Sequence, residues 1–188
     1  MPLNIPNLVT LSRIVLIPLL IGIFYLPWLS AETQNITATG VFIFAGITDW
    51  LDGYLARKLN QMSAFGAFLD PVADKLIVAG ALVVLLQLGR VDALVGLIII
   101  GREIAISALR EWMAKMGQSA SVAVAFIGKL KTVAQMVAIP LLLFHERLFG
   151  MLDCQWLGTI LINVAAVLTV ISMLYYLRKA LPYASVRG

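Results

Sequence analysis

The chain has 188 residues, 61% of them apolar and only 13% charged, with a mean hydropathy of +0.96. Ordinary soluble domains carry about a quarter charged residues, so this composition excludes a water-soluble globular protein and predicts one embedded in membrane lipid. A spanning helix needs about 20 apolar residues, which leaves room for six spans with short connections and no separate soluble domain.

The expected architecture is therefore all-α, a single domain over residues 1–188, with spans near 8–27, 36–58, 68–88, 92–114, 122–144 and 156–178. Polar or turn-forming stretches separate them at Ser30–Asn35, Asn60–Ser63, Gly89–Asp92, Gly117–Ser121 and His145–Asp153. The first span has no basic leader among Met1 to Asn7 and no Ala-x-Ala site after it, so it reads as a retained helix, not a signal peptide.

Charge sets the expected orientation. Arg13, Arg57, Lys58, Lys75, Arg102, Arg110, Lys115, Lys129, Lys131, Arg178, Lys179 and Arg187 fall on the side of the two termini, against Arg90 and Arg147 on the other. The positive-inside bias then puts both termini in the cytosol, together with any site built near the same helix ends. A net charge of +4 suits anionic headgroups and phosphates. No basic run is interleaved with aromatics, so no nucleic-acid partner is expected. Cys154 is the only cysteine and His145 the only histidine; both read as packing or interface residues.

Four aspartates carry the chemistry. Asp49 and Asp52 lie three apart on the second span, with Gly53, Ala56 and Arg57 following. On a helix Asp49, Asp52 and Ala56 form one stripe, and Arg57 flanks it with a planar fork of donors suited to a diphosphate. Asp70 and Asp74 lie four apart on the third span, with Gly66 four residues earlier. Pro71 leaves Asp70 open to two readings, a helical residue or an N-cap with proline at the first helical position. A carboxylate in an apolar segment carries a desolvation cost of several kcal/mol, roughly, unless a cation offsets it. Four of them with no nearby histidine or cysteine favour Mg2+ or Mn2+, and two ions fit four carboxylates. The competing readings are ion pairs with Arg57, Lys58 and Lys75, or the path of a cation transporter.

The run Asp49-x2-Asp52-Gly53-x2-Ala56-Arg57-x8-Gly66-x3-Asp70-x3-Asp74 resembles the complete signature of the CDP-alcohol phosphotransferase family. The resemblance implies a six-span helical fold, usually a homodimer, that transfers a substituted phosphoryl group from a CDP-linked donor to an alcohol and releases CMP. Asp49, Asp52 and Asp70 would be metal ligands, and Asp74 both ligand and general base. Gly53, Ala56, Arg57, Ser63 and Gly66 would line the CDP group. Asn7 and Thr10 would either close that pocket or cap the first helix. The segments N-I-P-N-L-V-T-L-S-R, R-E-I-A-I-S-A-L-R-E-W-M-A and G-K-L-K-T-V-A-Q-M extend the similarity to bacterial inner-membrane members that use CDP-diacylglycerol as donor and sn-glycerol 3-phosphate as acceptor.

A phosphorylated acceptor needs cations. Arg102 and Arg110, eight apart, share a face of the fourth span, while Lys129 and Lys131 on the fifth point in roughly opposite directions. At most one of the two lysines is expected to touch the acceptor phosphate. The alternative roles are cytosolic anchors, or partners of Glu103 and Glu111, with Glu111 and Lys115 at the spacing of a surface pair. The basic cluster speaks against serine as acceptor, and less clearly against phosphatidylglycerol or inositol phosphate.

Overall fold

A computed structural model of the chain describes residues 5–59, 64–116, 126–148 and 150–184. Among these residues there are six α-helices: α1 (Ile5–Gly22), α2 (Ala31–Leu59), α3 (Ala64–Gln87), α4 (Ala93–Lys115), α5 (Phe126–Phe144) and α6 (Cys154–Ala184). The all-α expectation has one small exception. The connection between α5 and α6 holds a two-stranded antiparallel pair, β1 (Arg147–Leu148) with β2 (Leu152–Asp153), turned at Gly150 with φ 71°.

The helix ends follow local chemistry. After α1 a short 3-10 turn, Ile23–Tyr25, stops at Leu26, whose backbone is extended because Pro27 disfavours helical geometry in the residue before it. The stretch Ser30–Asn35, expected as a break, is instead a cap and the first turn of α2. Ser30 Oγ accepts from the Thr33 amide at 3.2 Å and the Ser30 carbonyl accepts from the Gln34 amide at 2.9 Å, while Glu32 suits the positive helix N-terminus. The start of α3 also lies earlier than expected, so Pro71 sits inside the helix and Asp70 is a helical residue, not an N-cap.

At the end of α3, Gly89 takes φ 66°. Its amide bonds to Leu86 O and that of Arg90 bonds to Leu85 O, at 3.0 and 2.9 Å. This paired arrangement satisfies two carbonyls of the last turn and requires the left-handed conformation that glycine adopts at little cost. Asp92 caps α4, its carboxylate accepting from the Leu94 amide at 2.8 Å.

Arg90, counted from sequence only as a charge on the outer side, closes the end of α5. Its Nη1 donates to Leu142 O and Leu143 O at 3.1 and 2.9 Å, and its Nη2 donates to Oδ1 of buried Asn35 at 2.8 Å. Carbonyls of a last helical turn have no intrahelical donor, and one guanidinium supplies two of them.

The chain divides into two compact units: residues 1–90 with 140–155, and residues 91–139 with 156–188. In the first, α1 packs against α3 and α2. Gly80 makes the α1–α3 approach close, since a Cβ there would meet Ile17 Cγ2 at 3.2 Å; small residues at such crossings replace the hydrophobic drive that lipid removes. In the second unit, Ile106 and Met113 of α4 form a buried cluster with Tyr176 and Ala180 of α6, flanked by Leu109 and Met173.

One described helix is long and apolar enough on composition alone to cross a membrane, Cys154–Leu181, with a shorter apolar stretch at Thr10–Ile23. The helices α2, α3 and α4 carry the aspartates, Arg102, Glu103, Arg110 and Glu111 within their length, and such charges lower the apolar character of the segments that hold them. Cys154 is buried and not in a disulfide.

Candidate functional site

The acidic site is built in the first unit by α1, α2 and α3. Asp49 of α2 and Asp74 of α3 both accept from Nη1 of Arg13 on α1, at 2.7 and 2.6 Å. Their two oxygens are therefore no farther apart than these two bonds laid end to end. Arg13 is fully buried, while the Asp49 and Asp74 side chains keep 45% and 47% of their surface exposed. The buried cation fixes the two carboxylates from the protein side and leaves surface on each to meet a ligand. Beside them Thr10 Oγ1, itself buried, donates to Asp70 Oδ1 at 2.5 Å.

Arg13 is the site residue that sequence reading missed. The positive-inside count places it in the cytosolic charge excess, and the competing ion-pair reading of the aspartates names Arg57, Lys58 and Lys75 instead. The signal was present, because a lone arginine inside an apolar helix requires a buried partner. Nothing in linear spacing says which partner. Thr10 has a definite place as well: the sixth residue of α1, it holds Asp70 of α3.

The remaining acidic-site residues are placed only in part. Gly66 is buried in α3. Asp52, Gly53, Ala56 and Arg57 lie in α2 and Asn7 in α1, with their side chains outside the described residues, and Ser63 lies outside them altogether. Among the described residues no three acidic, histidine or cysteine side chains converge closely enough to hold a metal by themselves. Asp49 and Asp74 do share a cation, the Arg13 guanidinium, and a donor set made only of carboxylate oxygens fits a hard divalent ion.

The basic cluster belongs to the second unit. Arg102 is buried and donates from Nη2 to Oγ of buried Ser172 on α6 at 3.1 Å, and from Nη1 to Glu103 Oε1 at 3.4 Å. Lys131 of α5 is buried and bonds the same Glu103 oxygen. Lys129, two residues earlier, is exposed, so the two lysines do point apart. Arg110 is exposed and shares the ring of Tyr176 with Arg102, their Cζ atoms 5.6 and 5.7 Å from its centroid. Glu111 and Lys115 form an exposed pair at 2.9 Å, as their spacing indicates. Ser172 and Tyr176 were not singled out from sequence, because the last span carries no motif; their four-residue spacing on an apolar helix was the available sign.

The acidic pair held by the buried arginine lies on two of the motif aspartates, and the chain belongs to the CDP-alcohol phosphatidyltransferase family, a class of phospholipid-synthesising transferases, whose sequence profile matches residues 3–171. The chain is 50% identical over 182 residues to the CDP-diacylglycerol–glycerol-3-phosphate 3-phosphatidyltransferase of Salmonella choleraesuis strain SC-B67, covering 96% of each. It is 48% identical over 182 residues, again 96% of each, to the proteins of the same name from Shigella flexneri and Escherichia coli strain K12.

Proposed function

We propose that this chain transfers the phosphatidyl group of CDP-diacylglycerol to sn-glycerol 3-phosphate, giving phosphatidylglycerophosphate and CMP. The observation that carries the reading is the convergence of Asp49 and Asp74 on one buried cation, in a chain half identical to relatives named for that reaction over nearly their whole length. Family membership removes the cation-transporter alternative.

In this reading Asp49, Asp52, Asp70 and Asp74 hold two divalent ions, Mg2+ or Mn2+. When bound, these ions neutralise charge on the donor diphosphate and on the departing CMP. Asp74 accepts the proton of the acceptor hydroxyl at a carboxylate oxygen as that hydroxyl's oxygen forms its bond to the β-phosphorus. The bond from that phosphorus to the CMP oxygen breaks, and CMP leaves with the electron pair. Arg13 holds Asp49 and Asp74 in register, and Thr10 holds Asp70. Gly53, Ala56, Arg57, Ser63, Gly66 and Asn7 line the CDP group, small residues allowing close approach and Arg57 pairing with phosphate.

Arg102, Arg110 and Lys131 take the acceptor phosphate, with exposed Lys129 outside the contact. Buried Arg102 supports this role, because its Nε has no hydrogen-bond partner among the described residues, and a buried donor is rarely left unused. Serine carries no phosphate for such a cluster.

Residues 1–188 act as one domain, supported by a single family match over 3–171. Six spans with both termini in the cytosol of a bacterial inner membrane complete the reading, as does a homodimer. The spans are supported by large apolar side chains exposed on every helix, among them Val15, Phe44, Phe68, Leu97, Val133 and Val167, a surface that only lipid or a partner covers at no cost.

The test is Asp74→Asn in purified protein. Turnover should vanish while stabilisation by the CDP-linked donor persists; loss of donor binding together with turnover would contradict the base role.

A further inference from the structure

Tyr176 is fully buried on α6, in the apolar cluster with Ile106, Met113 and Ala180. Two cations nonetheless approach its ring. The guanidinium carbons of Arg102 and Arg110 lie 5.7 and 5.6 Å from its centroid, although the two arginines are separated by more than two helical turns of α4. An aromatic face attracts a cation through its quadrupole, and more strongly where water is excluded. Like charges brought to one ring repel, and the ring, together with the Glu103 carboxylate beside Arg102, offsets part of that cost. One turn earlier on the same helix, buried Ser172 accepts from Arg102 Nη2 at 3.1 Å. Besides its contact with Glu103, Arg102 is thus held from α6 by a hydroxyl and by an aromatic ring.

We propose that Tyr176 is a positioning residue for acceptor recognition. Its ring holds Arg102 and Arg110 as a preformed pair of cations, so that the acceptor's phosphate meets two positioned guanidinium groups instead of ordering two free side chains. This rests on the reading of Arg102 and Arg110 as acceptor-phosphate ligands. Preorganisation of this kind acts on acceptor affinity and leaves donor affinity and the chemical step untouched.

The experiment measures KM for sn-glycerol 3-phosphate and for CDP-diacylglycerol on purified full-length protein. Tyr176→Leu should raise the KM for glycerol 3-phosphate roughly tenfold, with the donor's KM within about twofold of the parent. Tyr176→Phe keeps the ring and should stay within about twofold for both. Successively fluorinated phenylalanines at position 176 keep the shape while weakening the quadrupole, and remain informative if Tyr176→Leu fails to fold. They should raise the acceptor KM step by step, and a flat series would overturn the proposal. So would a rise for Tyr176→Phe equal to that for Tyr176→Leu, which would assign the effect to the hydroxyl. Arg110→Ala separates the two levels. If it raises the acceptor KM and the fluorinated series is flat, only the Tyr176 proposal fails; if it leaves the acceptor KM unchanged, the acceptor-site reading itself fails.

Discussion

Arg13 and Asp74, 61 residues apart in the chain, meet at 2.6 Å, and the same guanidinium nitrogen reaches Asp49 at 2.7 Å. Removing one partner of a buried ion pair leaves an uncompensated charge, at a cost of about 3–5 kcal/mol when both are fully enclosed. Here the carboxylates are nearly half exposed, so solvent screening reduces the figure. Arg13→Ala should cost roughly 2 kcal/mol, read as a lower thermal midpoint in detergent. It should also make the protein more dependent on Mg2+, because two freed carboxylates attract a divalent ion more strongly. A variant with unchanged stability and an unchanged response to Mg2+ would contradict the clamp.

The Thr10 hydroxyl bonded to Asp70 gives a sharper contrast. Thr10→Val keeps shape and burial but deletes the donor, a loss of about 1–2 kcal/mol for a bond to a charged group. Thr10→Ser restores it. Valine should reduce turnover and weaken Mg2+-dependent stabilisation, and serine should recover most of both. Equal behaviour of the two variants would make Thr10 a packing residue only.

How much of this was legible in the sequence depends on the range of the interaction. The aspartates, Gly66 and the paired arginines sit at spacings that one helix geometry interprets, whereas Ser30–Asn35 and Gly89–Asp92 read from sequence only as breaks and hold the caps at Ser30, Gly89 and Asp92. The Pro71 ambiguity was settled by the helix as a whole. Pro71 is the eighth residue of α3 and so removes one intrahelical bond, yet α3 runs through it and Asp70 stays on the helix with Asp74. Arg13 and Arg90 were misjudged for the opposite reason. Their partners lie 36 to 61 residues away, and a charge count along the chain treats a buried clamp and a solvated anchor alike. Ser172 and Tyr176 gain their meaning only from Arg102 and Arg110 on another helix.

His145 carries a pH prediction. It follows α5 with φ 63°, and partial burial together with the Arg90 guanidinium holds its imidazole below the usual 6.5, against the weaker pull of Glu146 and Asp153. The unfolded chain then takes up the proton first. This stabilising contribution is fully present above about pH 6.5 and is lost as the pH falls through that value toward the folded one. His145→Asn removes the titration, and asparagine tolerates the left-handed conformation. The thermal midpoint of the variant should vary less than that of the parent between about pH 7 and pH 5. A parallel pH dependence in both would remove His145 from the account.

The most direct measurement is CMP release by the purified protein with Mg2+ and CDP-diacylglycerol, comparing sn-glycerol 3-phosphate, serine, inositol phosphate and phosphatidylglycerol as acceptors. The account predicts release with glycerol 3-phosphate alone, abolished by chelating the metal. Release driven by one of the other three, with none from glycerol 3-phosphate, would contradict the assignment of Arg102, Arg110 and Lys131 to the acceptor phosphate.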